Sequence, residues 1–471
     1  MAEASLKRET IEQLQRENPA AVVDLVLQQA RVIAEQGELI EKQQKAIAAL
    51  EKRVAELEER LNQMGGGPGA APFRIEPHKR KMDPKGPGRG AGHKGEFRLT
   101  PQELDETIEV PLKECPHCGE RMRQTRRIEQ TIIELPPVQP MVVRLITHRG
   151  RCERCGKTVR STHPLQVSHA VGAAGTQLGP RALAVAGLLR HEIGLTLRRC
   201  CTVMDRLFSL RVSAGGLSQG LDRLAQRMKN SYENLIEQVR ASPVVHTDET
   251  SWWLENERSQ LCIFATERES IYRVVKSRDR ATFHQIIPPD FKGVLVSDCL
   301  GVYDDATPRQ QKCYAHHLKA ISAAQRMRSQ PSEWLEQVRC LLKNAIVLAK
   351  KREAMGSTQW ALEVKALRLA GCAVLEETPR ACVHEEAVRA RLWKQRDHLF
   401  VFLEHPGVDA TNNLAERQLR PAVIRRKLSC GNRSQRGAQT FEILTSLAAT
   451  CRQRGEDFLQ LAAKAARLQP A

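Results

Sequence analysis

The chain is poor in aromatic residues, which make up 4% of its 471 positions. That scarcity argues against an extended stacking platform for single-stranded nucleic acid. Long apolar runs are missing as well. The longest, Ala182–Leu189, falls far short of a membrane span. The opening MAEASLKRET lacks the apolar core of a signal peptide, so a cytoplasmic location, among the nucleoid DNA, is expected. Acidic residues are in deficit. Asp plus Glu number 55 against 73 Lys plus Arg, a formal charge of +18. Such an excess favours a polyanionic partner, with DNA the first candidate. In a reducing compartment the 14 cysteines are expected as thiols or metal ligands rather than disulfides.

What is present falls into segments. Val26, Ile33, Ile40, Ile47, Val54 and Leu61 recur every seven residues, with Gln29, Gln36, Gln43, Leu50, Leu57 and Met64 on the companion seam. Residues 1–64 thus read as a helical dimerisation segment, a coiled coil that makes a homodimer; a helix packed on its own chain is the alternative. Residues 65–98 open with GGGPGAAP and continue with Lys79, Arg80, Lys81, Lys85, Arg89 and Lys94, a basic linker that either tracks DNA or only separates domains. Residues 169–240 carry helical periodicity, read as a hairpin or a loose helix–turn–helix and so a candidate DNA-binding domain. From Pro243 the runs VVHTD, SQLCIFATE, SIYRVVKS and GVLVSD predict strands, and helix returns at about residues 320–403. Further helical segments are expected at 411–422 and 437–468.

Three constellations carry chemistry. Cys115-Pro-His-Cys118 and Cys152-Glu-Arg-Cys155 are each followed by Gly, and residues 99–168 are read as a zinc-binding domain in which four thiolates close a structural tetrahedral site. Asp248 and Asp298 each end a predicted strand, and Glu416 follows Asn412 and Asn413 on a predicted helix. Three carboxylates so placed suit two Mg²⁺ ions, with Mn²⁺ able to substitute, for an in-line phosphoryl displacement. Glu249, Asp304 and Asp305 are set aside as ordinary acids. Third, Arg417, Arg420, Arg425, Arg426, Lys427, Arg433 and Arg436 crowd around Glu416 and are read as phosphate contacts.

The chain resembles the large transposase of the IS66 family of bacterial insertion sequences. The resemblance rests on the leading heptads, GRGAGHKG, CPHCG with CERCGK, HTDET at 246–250, SDCLGVYD, CYAHHLK at 313–319 and NNLAERQLRPAVIRRK at 412–427, in family order over nearly the whole chain. It implies an α+β multidomain chain with an RNase H-like catalytic domain of the DDE class at 241–436, a helical insertion within it, and a C-terminal helical segment at 437–471. Asp248, Asp298 and Glu416 become the three acids in order. His316 falls where the family pattern has a histidine near the active site, although a core or surface histidine is the alternative. Tyr314 stands where the family usually has Trp. The implied activity is metal-dependent cleavage of the element's ends and joining to target DNA, with accessory transposition proteins as further partners. A retired, DNA-binding dimer and a nuclease of the same fold are the rival readings.

Overall fold

The computed structural model describes residues 101–468, apart from 124–125, 329 and 377–381, together with scattered residues between 20 and 44. Most of the heptad segment and all of linker 65–98 lie outside the described residues. The chain divides into two compact units, Met1–Ile132 and Ile133–Ala471.

In the first unit the described residues between 20 and 44 are helical, and Val26 and Ile33 of the heptad seam are 60% and 66% exposed. Further on, Cys115–Cys118 forms a tight knuckle. Gly119 donates its N–H to Cys115 O at 2.9 Å, and Cys115 N donates to Glu120 O at 2.8 Å. Gly119 closes the turn at φ +76°, a conformation that suits a residue without Cβ.

The second unit begins with a small antiparallel hairpin, β1 (Arg149–Arg151) and β2 (Thr158–Arg160). The Cys152–Cys155 knuckle between them repeats the first one's bonds, Gly156 N to Cys152 O at 2.8 Å and Cys152 N to Lys157 O at 2.9 Å. Four helices follow: α1 (Pro180–Gly187), which runs into a π-helical turn at Leu188–Glu192, α2 (Leu197–Phe208), α3 (Ala214–Arg227) and α4 (Lys229–Arg240). Thr196 caps α2 and Ser213 caps α3 through their hydroxyls.

The sheet contains β3 (Val244–Leu254), β4 (Glu257–Ala265), β5 (Ser270–Val275), β6 (Val294–Ser297) and β7 (Gln310–Lys312), in the order β5-β4-β3-β6-β7. β3, β4 and β5 form an antiparallel meander, while β6 and β7 run parallel to β3. Glu255 and Asn256 turn β3 into β4 with φ of 54° and 67°, the two-residue geometry that matches strand twist. The short helix α5 (Arg280–His284) lies on the crossover to β6. Beyond β7 come α6 (Tyr314–Arg326), α7 (Glu333–Ala349), α8 (Ser357–Glu376), α9 (Val383–Lys394) and α10 (Val401–Glu404). The chain ends with α11 (Asn413–Ser429), a two-residue strand β8 (Gly431–Asn432), α12 (Gln435–Arg454) and α13 (Phe458–Ala466). The fold of this unit is therefore mixed α/β.

Two of the expected boundaries shift. Asp248 lies mid-strand, not at a strand end, because pairing with β4 continues to Leu254 and buries Trp252 and Leu254. The helix expected to stop at 422 continues through Pro421 to Ser429. Its buried stripe Ala415, Leu419 and Ala422 packs on Trp252, Leu261 and Ile263 of the sheet, and this contact carries the helix past the proline, whose own position is exposed.

Alternation along β3 separates the two faces of the sheet. Val245 belongs to the core that α1–α4 share with Ile443, Leu444 and Leu447 of α12 and Phe458 of α13. Trp252 and Leu254, on the opposite face, pack against α11 and α12. That face also carries Val294 and Val296 of β6, which the helices between β7 and α11 cover.

Candidate active site

β3 and β6 pair in parallel with Val244 against Val294, Val245 against Leu295 and His246 against Val296. Asp248 and Asp298 each lie two residues beyond the last pair. Asp248 lies within β3 on the sheet face that α11 covers, and Asp298 follows directly on the end of β6 at the same distance past the pair. Glu416 sits in the first turn of α11, where its N–H bonds to Asn412 O at 3.2 Å.

The acids also act on one another electrostatically. Burial, then repulsion from Asp298, Glu416 and Glu249, pushes the Asp248 carboxyl up to about 7, although its own bond from Glu249 N at 2.8 Å works the other way. Asp298 accepts an N–H from Leu300 at 3.0 Å, which fixes the turn after β6. Glu416 is exposed, and both aspartates are half-buried. Crowded carboxylates of this kind, with an open side, are a donor set for hard divalent cations.

The set-aside acids have other duties. Glu249, on the other face, is paired with Arg278 at 2.5 Å and receives Tyr303 OH at 3.5 Å. Asp304 pairs with Lys394 at 2.6 Å and lies 3.9 Å from the buried Lys312 ammonium.

Asn412 is a residue that sequence reasoning did not single out as functional. It is fully buried, and its Nδ2 donates to Thr247 O at 2.7 Å while its Oδ1 meets His246 Nδ1 at 3.2 Å. Its backbone N–H points to Cys313 Sγ at 3.2 Å. One side chain thus ties the start of α11 to β3 beside Asp248. Burial holds the His246 imidazole below its usual range, which favours the neutral ring, and with Nδ2 committed to Thr247 the Nδ1–H is the donor to Oδ1. The available signal was a polar His in an apolar strand and a paired Asn before a helix.

His316 comes close to Glu416. Its ring, Cys313 Sγ and a Glu416 oxygen offer ligand atoms all within 4.8 Å of one another. Burial raises the Cys313 thiol.

The basic cluster divides. Arg417, Arg420 and Lys427 are exposed along one stripe of α11, and Arg433 is exposed beyond it. Arg436 is exposed but ion-paired with Asp222 at 3.0 Å. Arg426 is half-buried and bonds Thr250 Oγ1 at 2.8 Å and Ser251 O at 2.7 Å, pinning α11 to β3. Arg425 does not match the expectation of a phosphate contact. It is buried, its guanidinium 4.5 Å from the centre of the Phe441 ring, because it continues the inward stripe of Ala415, Leu419 and Ala422.

In the two CxxCG knuckles, backbone N–H groups of His117 and Cys118 lower the Cys115 thiol, and those of Cys155 and Arg154 help lower that of Cys152. Both shifts favour the thiolate form.

Fold and site together define a mixed α/β domain with an acidic centre at the foot of a basic helix. A sequence profile described as the transposase IS66 family matches residues 175–440, from just before α1 into α12, and spans all three acids. The chain belongs to the IS66 family of transposases. No individual curated protein matches it. Among the described residues no helix is long and apolar enough to cross a membrane.

Proposed function

We propose that this transposase is a DDE enzyme that binds the ends of its insertion sequence, cleaves them and joins them to target DNA. The observation that carries the reading is that Asp248 on β3 and Asp298 just after β6 lie equally far past the paired ends of two parallel strands, with the charge of Glu416 acting on Asp248. The order β5-β4-β3-β6-β7, with three antiparallel strands and two parallel to the central one, supports an RNase H-like catalytic domain interrupted by the helices α6–α10.

Asp248, Asp298 and Glu416 would hold two Mg²⁺ ions, for which Mn²⁺ can substitute. When bound, the pair supplies activation of the attacking oxygen and charge stabilisation of the leaving one. The protein's own part is positional. The parallel pairing of β3 and β6 fixes the two aspartates, and the Asn412 and Arg426 bonds fix the helix that delivers Glu416. Arg417, Arg420, Lys427 and Arg433 seat the phosphodiester backbone beside the acids, with Arg436 contributing after release from Asp222. His316 borders the same centre.

The remaining segments fit the same work. The paired CxxCG units of the sequence support the reading of one structural zinc on Cys115, Cys118, Cys152 and Cys155. The heptad helix brings two copies together for the two element ends, and the exposure of Val26 and Ile33 supports that role. The basic linker and the helices α2 and α3 add DNA contacts, accessory transposition proteins complete the complex, and the work takes place on cytoplasmic, nucleoid DNA.

The test is an assay on paired end fragments in Mg²⁺. Wild-type protein is expected to nick the ends and join them to target DNA. Nicking without joining would make it a nuclease, and binding with neither would make it a retired DNA-binding dimer.

A further inference from the structure

The wall beside the acidic centre contains ligands that hard ions do not select. Cys313 immediately precedes α6 and His316 lies in its first turn, so the three-residue spacing turns both toward the start of α11. Glu416 occupies the first turn of that second helix. One ligand atom from each of the three lies within 4.8 Å of the other two. The arrangement is held from outside. Asn412 N–H bonds Cys313 Sγ at 3.2 Å, and the bonds of the Asn412 side chain to His246 and Thr247 anchor that backbone in turn. His316 Nδ1 is sheltered from water and has no hydrogen-bond partner. A sheltered ring nitrogen without a partner is a group that awaits a ligand.

We propose that Cys313, His316 and Glu416 form a site for a borderline-soft divalent ion, Zn²⁺ first among them, and that this ion draws Glu416 out of the acidic centre and holds the enzyme inactive. The regulatory half rests on the reading of Glu416 as the third acid; the binding half does not. A thiolate with an imidazole favours zinc over magnesium, which prefers oxygen and near-octahedral geometry. Zinc at about 2.3 Å from sulfur and about 2.0 Å from nitrogen or oxygen needs its ligands closer together than the present outer limit. A small rotation of the exposed Glu416 side chain supplies the difference. Three protein ligands leave the fourth position open to water, so the ion stays exchangeable, unlike one closed in by four cysteines. Glu416 cannot serve both centres fully, so zinc would compete with magnesium for the same carboxylate.

The experiment counts zinc bound per chain in the full-length protein without DNA, after equilibration with Zn²⁺ alone, for wild type, Cys313→Ser and His316→Asn. Circular dichroism checks that each variant is folded, and the half-exposed His316 is the safer substitution if the Cys313 variant is not. Each folded variant is expected to bind about one ion fewer than wild type, whatever the knuckles hold. Equal counts in wild type and His316→Asn would overturn the site. The second arm follows Mg²⁺-dependent cleavage as Zn²⁺ is added, each protein against its own zinc-free rate. Wild type is expected to be inhibited at zinc concentrations ~10-fold or more below those that affect the variants. Equal zinc sensitivity would overturn the regulatory half. A difference in zinc count with no cleavage by any protein would leave the site standing and remove the DDE reading instead.

Discussion

Asp248 on β3 and Asp298, the residue that follows the end of β6, each lie two positions past the parallel His246–Val296 pair. Each accepts a single backbone N–H from a near neighbour in sequence, Asp248 from Glu249 and Asp298 from Leu300. The register of β3 and β6 places them, and burial first, then repulsion from Asp298, Glu416 and Glu249, raises the Asp248 carboxyl.

That raised carboxyl has a pH signature. The Asp248 pKa lies at about 7 in the folded protein against an ordinary 3.8, so the folded state favours the protonated form. The stability this contributes is present below the ordinary value and is lost as pH rises through about 7. In chelator, Asp248→Asn is expected to raise the melting temperature at pH 8, by at most about 4 kcal/mol of stability, and to leave it nearly unchanged at pH 4. A variant no more stable than wild type at pH 8 would show that burial and its neighbours do not raise the carboxyl.

Asn412 should matter to stability and activity together. Asn412→Ala leaves Thr247 O without its donor in a buried place, at a cost of about 1–3 kcal/mol. It also frees the start of α11, so cleavage should fall more steeply than DNA affinity. Denaturant unfolding and a cleavage assay on the same preparation check both; an unchanged unfolding midpoint would contradict the clamp.

Arg425 and its neighbours should behave as opposites. Arg425→Met keeps the bulk over Phe441 and removes a buried charge, so the salt dependence of DNA binding should stay as it is. Arg420→Ala and Lys427→Ala should each lower the slope of log affinity against log salt by about 0.9 for a lost phosphate contact. Gel shifts over a salt series decide; a reduced slope for Arg425→Met would place that guanidinium on DNA.

The paired CxxCG units of the sequence predict about one zinc per chain in protein purified without chelator. Cys118→Ser, assayed by metal analysis, is expected to lose it; undiminished zinc in that variant would mean the pair does not bind the structural ion.

The strands of this unit were legible because short β-rich runs are a local signal: the four predicted runs fall on β3, β4, β5 and β6, although β3 continues six residues past VVHTD to Leu254. β7 was not, since Gln310, Gln311 and Lys312 are polar residues buried by hydrogen bonds that only the tertiary fold supplies. The two aspartates could be named from strand ends and motif, although Asp248 lies mid-strand. Arg425 was misread because charge was counted without the helical stripe that turns it inward. Asn412 and Cys313 escaped notice because their partners lie 165 and 99 residues away in sequence.

The most direct test of the account is Glu416→Gln, which keeps the side chain's shape and removes its charge. Gel shift and strand cleavage are measured on the same element-end fragment in Mg²⁺. Binding should survive or tighten slightly, because phosphate contacts supply the affinity, while cleavage should fall by several orders of magnitude. Cleavage by Glu416→Gln at the wild-type rate would contradict the account and make Glu416 an ordinary residue of α11.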